Sequence, residues 1–157
     1  MTEILKEVID NFNAITNYAD IQNEWHGIEI KSGNHIKRIL FPFGAEYVVT
    51  LNKVHPQDDI TAFYQSNADI TSVIIKGVLR LQFRFQDSVI FLAPSSVYSI
   101  KGGEELRALS SGNEEPVYTL AIFKTDFDLM YNKDCVPLSD EEFREIYSVF
   151  EQALVKK

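Results

Sequence analysis

Two periodicities divide the chain. From Thr2 to Ile15, apolar residues recur every three or four positions (Ile4, Leu5, Val8, Ile9, Phe12, Ile15), with Glu3, Lys6, Glu7 and Asp10 between them. That spacing gathers one apolar stripe and predicts an N-terminal helix over 2–15. Residues 16–27, with Trp25, His26 and Gly27, read as a loop. From Ile28 to Lys124 the period falls to two, predicting strands at 28–31, 36–42, 46–54, 60–65, 71–76, 78–85, 88–93, 96–100, 105–109 and 117–124. Turn residues separate many of them, among them Ser32-Gly33-Asn34, Phe43-Gly44, His55-Pro56, Lys101-Gly102-Gly103 and Ser110-Ser111-Gly112-Asn113. In 78–85, Leu79, Leu81, Phe83 and Phe85 alternate with Arg80, Gln82 and Arg84. The runs at 88–93 and 117–124 are apolar on both faces. After an irregular connection over 125–138, Ser139-Asp140-Glu141-Glu142 is a capping-box signature. Phe143, Ile146, Tyr147, Phe150 and Leu154 continue it as a helix over 139–155.

Short strands with tight turns and no helix among them predict an all-β fold, an antiparallel sandwich or barrel flanked by a terminal helix at each end. With 157 residues, the chain reads as a single domain over 1–157 whose core needs no disulfide or metal staple. A lipocalin-like closed barrel of about eight to ten strands is the alternative architecture.

Charge and cysteine usage narrow the function classes. The formal net charge of −8 repels a nucleic-acid backbone and an anionic membrane surface, so neither partner is expected. Cys135 is the single cysteine, which rules out an intrachain disulfide and fits a reducing compartment. No apolar run approaches the ~18 residues of a membrane span, and residues 1–12 lack the pattern of a secretory leader. The expected location is the cytoplasm.

The barrel region resembles the cupin superfamily. Val73-Ile74-Ile75-Lys76-Gly77 matches the strand that ends in glycine. Gln86-Asp87-Ser88 stands where cupins carry Gly-Asp, and Ala93-Pro94-Ser95-Ser96-Val97-Tyr98-Ser99 is similar to the turn that reads Pro-x-Gly-x-x-His. The resemblance spans roughly 46–124 and implies a cupin-like jelly-roll barrel. Metal-binding cupins place two histidines and an acid in the first motif and a further histidine in the second. Anchored on Gly77, those positions fall on Phe63, Gln65, Ile70 and Ser99, or on Tyr64 and Ser66 for the histidines at the alternative spacing. None is a good transition-metal ligand, so no metal and no other cofactor is expected. The same register implies a pocket lined by Phe63, Gln65, Ile70, Ser72, Val97 and Ser99. It is mainly apolar with a few uncharged hydrogen-bonding groups, as small-molecule sites commonly are.

Other candidate chemistry carries less. His26, His35 and His55 share no i,i+2 or i,i+4 spacing and read as surface or turn residues. His35 and His55 are nonetheless the ones to consider for a metal-free enzyme of the sugar-epimerase type, which the resemblance also allows, with a His or Tyr as general acid/base. Arg38 is a further residue able to reach the pocket. Arg80, Gln82 and Arg84 share one strand face and read as a solvated outer surface, with an anion grip as the alternative. Ser95-Ser96 lacks a nucleophile elbow, and Gly102-Gly103 lacks the Lys-Ser/Thr of a phosphate loop. The expected function is binding of a small organic ligand or an accessory, interaction role. The alternative is the metal-free enzyme. Strands apolar on both faces further predict a homodimer that covers the outer face.

Overall fold

The change of period becomes a change of element. The computed structural model describes residues 2–12, 26–30, 36–55, 63–110, 115–130 and 136–155. Helix α1 (Thr2–Asp10) opens it. Eleven strands follow among the described residues: β1 (His26–Ile30), β2 (Ile36–Phe43), β3 (Tyr47–Val54), β4 (Tyr64–Gln65), β5 (Asp69–Lys76), β6 (Leu79–Phe83), β7 (Val89–Leu92), β8 (Val97–Ile100), β9 (Glu105–Ser110), β10 (Val117–Lys124) and β11 (Val136–Pro137). The short helix α2 (Phe127–Met130) precedes β11, and α3 (Asp140–Leu154) closes the described chain. Trp25, His35 and Cys135 lie outside the described residues.

Among the described residues all pairings are antiparallel and fall into two sheets, one of seven strands in the order β11-β1-β2-β3-β10-β5-β8 and one of four in the order β4-β9-β6-β7. Their inner faces share a core of Val54, Ile74, Leu79, Leu81, Ile100, Leu106 and Val117. This is a jelly-roll barrel with helices outside it. The glycine that ends the β5 segment, Gly77, has φ +89, and a Cβ there would stand 3.1 Å from the Pro116 carbonyl oxygen. Only glycine tolerates both the backbone angle and the close approach.

The doubly apolar character of β10 has an intramolecular cause. Its inward row is Val117, Thr119, Ala121 and Phe123; its outward row is Tyr118, Leu120 and Ile122. The outward row packs with Ile39, Phe41, Val49, Leu51 and Val73 against Leu5, Val8 and Phe12 of the N-terminal segment and Ile146 and Phe150 of α3. Two helices therefore take the place that a second subunit would otherwise fill on that face. The other doubly apolar run, β7, differs: Phe91 is 62% exposed at the edge of the smaller sheet.

The helix ends follow the sequence signal. Ser139 is the N-cap of α3, its Oγ accepting from the Glu142 N–H. The Ser139 hydroxyl in turn donates to the Glu142 carboxylate at 3.1 Å, and Lys37 of β2 pairs with the same carboxylate. Gly27 lies under this helix, where a Cβ would come within 3.0 Å of Leu138 and Phe143 side-chain atoms. Two elements were not foreseen, α2 and the two-residue strand β11. Each is too short for a periodic pattern to show.

Candidate site inside the barrel

Strand register decides which side chains enter the barrel, because neighbouring residues point to opposite faces. Four strands of the large sheet run side by side, with Arg38 paired to Asn52, Asn52 to Thr119, and Thr119 to Ile74. The next inward row is Leu40, Thr50, Ala121, Ser72 and Tyr98. Polar groups thus interrupt the apolar lining at two adjacent levels. Thr50, Asn52, Ser72 and Thr119 are buried, while Arg38, Tyr98, Ile70 and Phe123 are partly exposed.

Asn52 organises this belt. Its Oδ1 accepts from Arg38 Nε at 2.6 Å, and its Nδ2 donates to Thr50 Oγ1 at 2.9 Å and Thr119 Oγ1 at 3.2 Å. The Arg38 guanidinium carbon lies 5.0 Å from the centre of the Phe123 ring, a cation–π placement. Burial pushes the Tyr98 phenol above its ordinary value, against smaller opposing pulls from Ser72 and the Arg38 charge. The phenol therefore stays protonated through the neutral range. Ser72 stands close enough to ease Tyr98 ionisation, yet its buried Oγ makes no hydrogen bond of ordinary geometry.

The six residues expected to line the pocket do not share a face. Ile70 and Ser72 point inward as expected. Val97 is 49% exposed and pairs with outward Val73, and Ser99 pairs with outward Thr71, whose hydroxyl it meets at 3.1 Å. The expected register of β8 was off by one residue. The cause is the turn before it: Ser95, not Ser96, takes the left-handed conformation at φ 76. The turn therefore closes one residue earlier than a Pro-x-Gly alignment places it, and Tyr98 occupies the inward position assigned to Ser99. Gln65 is exposed, donating to the Gly103 carbonyl, and pairs with Glu105, while Tyr64 pairs with inward Leu106. Phe63 packs under the Arg107 guanidinium at 4.6 Å. Arg107 also clamps Gln82 Oε1 at 2.9 and 2.7 Å on the outer face of the small sheet. Arg80 and Arg84 are exposed on that face, and Arg84 pairs with Glu105 at 2.7 Å.

With the register corrected, the positions that correspond to cupin metal ligands are Tyr64, Ser66, Ile70 and Tyr98. This donor set offers hydroxyls and an alkyl group, with no imidazole, thiolate or carboxylate, and does not fit a transition metal. Among the described residues, no three of His, Cys, Asp and Glu come together. Of the described histidines, His26 shares the inner face but lies five strands from Tyr98, with its ring 5.4 Å from Phe127. Sequence reasoning named Arg38 but missed Asn52, Thr50, Thr119 and Tyr98. The available signal was a polar residue at alternate positions within apolar strands, at 38, 50 and 52, and 119.

No protein-family model matches the chain, and no curated protein matches it. Solved structures do. An RmlC-like cupin from Shewanella frigidimarina NCIMB 400 aligns with 67% of this chain and 88% of its own, at 11% identity and a TM-score of 0.51. KdgF from Halomonas sp. aligns with 71% of this chain and 94% of its own, also at 11% identity and TM-score 0.51. The iron(II) form of HppE gives a TM-score of 0.54 at 7% identity over 64% of this chain and 57% of its own. These likenesses concern the path of the chain alone. The chain has the cupin jelly-roll fold.

Proposed function

We propose that this protein binds a small organic ligand in the barrel interior without a transition metal. The observation that supports the reading is the polar belt of Arg38, Asn52, Thr50, Thr119, Ser72 and Tyr98 set into an otherwise apolar lining. A few placed polar groups among apolar walls is the usual make-up of a small-molecule site. A barrel that served only as a scaffold would gain more from apolar residues at these positions, because buried polar groups stabilise only when fully partnered. Ser72 is not.

Tyr98 motivates a second reading, the metal-free enzyme. A phenol held neutral inside a barrel can donate a proton to a developing negative charge, and the Arg38 charge, which already eases its ionisation, would help stabilise that charge. An epimerase or isomerase also needs a base, and none of the described groups in the belt titrates near neutrality. Binding without turnover is therefore the first reading.

The test is to crystallise the protein purified without added ligand and again after soaking with a mixed set of small organic acids, sugars and amines. Electron density for a molecule touching Arg38 or Tyr98 is the expected result. A ligand seated on the outer face of either sheet would sink the proposal.

A further inference from the structure

Six polar side chains are buried among the described residues: Thr50, Asn52, Ser66, Thr71, Ser72 and Thr119. Five of them are hydrogen-bonded, Thr50 and Thr119 with Asn52, Ser66 with the Ala68 carbonyl, and Thr71 with Ser99. The Ser72 hydroxyl has no bonded partner. The contrast is sharpest within one strand pair. On the outer face of β5 and β8, Thr71 and Ser99 stand opposite each other and share a hydrogen bond at 3.1 Å. One residue along, on the inner face, Ser72 stands opposite Tyr98. Two hydroxyls in register are therefore closed on each other outside the barrel and left open inside it. A buried hydroxyl without a partner costs stability, and a molecule that bonds to it restores what burial removed.

Resting on the barrel-interior reading above, we infer that the ligand is an uncharged carbonyl compound, its carbonyl oxygen held by the Ser72 and Tyr98 hydroxyls and its apolar body set against Ile70 and Phe123. A carbonyl oxygen has two lone pairs and accepts from both hydroxyls at once. Tyr98 is suited to the donor role, because a phenol oxygen shares its lone pair with the ring and donates better than it accepts. Burial keeps its proton in place through the neutral range. Two neutral hydroxyls offset the dehydration of a carbonyl group, whereas a carboxylate sheds far more hydration on entry. The surroundings fit the same orientation. Ala121, the cross-strand neighbour of Ser72 on β10, adds only a methyl group beside the hydroxyl. Ile70 follows Ser72 on the inner face of β5 and pairs with Phe123. Both are partly exposed while Ser72 is fully buried, so the hydroxyl lies deep and the apolar pair lies toward solvent.

The experiment titrates the full chain with carbonyl-labelled cyclohexanone, and with cyclohexanol and cyclohexanecarboxylate as the matched alcohol and anion. Affinity and the carbonyl carbon resonance are the readouts. We expect a Kd on the order of 1 mM for the ketone, as befits so few atoms, with its carbonyl resonance moving downfield on binding and the other two probes binding more weakly. Ser72→Ala and Tyr98→Phe each delete one hydroxyl and should weaken the ketone by ~3–10-fold and shrink the downfield shift, while Ser99→Ala on the outer face leaves both unchanged. Without any probe, Ser72→Ala should melt no lower than wild type, because the hydroxyl it deletes has no bond to lose. A lowered Tm would assign Ser72 a structural bond and overturn the inference. Alcohol or carboxylate binding as tightly as the ketone, or a ketone indifferent to both substitutions, would overturn the carbonyl assignment and leave the barrel reading standing. Silence from all three probes up to roughly 50 mM, far above a millimolar Kd, overturns it too. The barrel reading falls with it only if the purified protein also retains no molecule in native mass spectrometry.

Discussion

Asn52→Ala should be among the most damaging polar substitutions in this fold. The residue is 4% exposed and holds three side chains at once: Arg38 through Oδ1 at 2.6 Å, and Thr50 and Thr119 through Nδ2 at 2.9 and 3.2 Å. Truncation removes a hydrogen bond to a charged group, about 1.5–3 kcal/mol, and leaves two buried hydroxyls short of a partner, about 1 kcal/mol each if neither relaxes. Water entering the vacated space offsets part of this, so the expected net loss is about 3 kcal/mol. For a chain of this length that lowers Tm by about 6–12 °C. Urea denaturation of wild type, Asn52→Ala, Arg38→Gln and the double variant forms a cycle with an expected coupling of about 1.5 kcal/mol. A loss below about 1 kcal/mol for Asn52→Ala, or strict additivity with Arg38→Gln, would refute the belt as an energetic unit.

Three further outcomes are expected. Ser95→Gly relieves a left-handed φ of 76 and should be neutral or stabilising by about 0.5–1 kcal/mol, whereas Ser96→Gly should destabilise; the reverse order in thermal melts would return β8 to its unshifted register. The Lys37 hydrogen bond, opposed in part by burial and aided by Ser139, holds the Glu142 carboxyl below its usual range. Its stability contribution is therefore present above the unfolded carboxylate value and is lost as pH falls through the lowered folded value. Glu142→Gln should cost stability at pH 7 and less below about pH 4, and a deficit that grows in acid would contradict this. Finally, β7 is an edge strand without charge or proline across Val89–Leu92, the kind of edge that pairs with another chain. Light scattering should give a homodimer at twice the 18.0 kDa chain mass, shifted toward monomer by Phe91→Lys; a wild-type monomer at micromolar concentration removes the expectation.

The fold was legible because alternation and punctuation agreed. Leu79, Leu81 and Phe83 against Arg80 and Gln82 specify a strand and its faces in one stretch, and the Ser139 capping box fixes the start of α3 to the residue. The site was less legible because its members come from strands far apart in sequence. Arg38, Asn52 and Thr119 become neighbours only through the β2-β3-β10 order, which no local pattern encodes. The β8 residues failed for a sharper reason. A turn shortened by one residue is a small change in sequence space and a complete exchange of faces in a period-two element, so Val97 and Ser99 left the barrel and Tyr98 entered it. The outward row of β10 illustrates a third limit. Its apolarity was read correctly, but the choice between helices and a second subunit as its cover depended on where α1 and α3 pack.

Native mass spectrometry of the protein, purified without affinity-tag histidines and compared with Arg38→Gln, tests the central claim most directly. The account predicts a wild-type mass excess matching a small organic molecule, absent or strongly depleted in Arg38→Gln. A stoichiometric transition-metal adduct, or a molecule retained equally by both proteins, would contradict it.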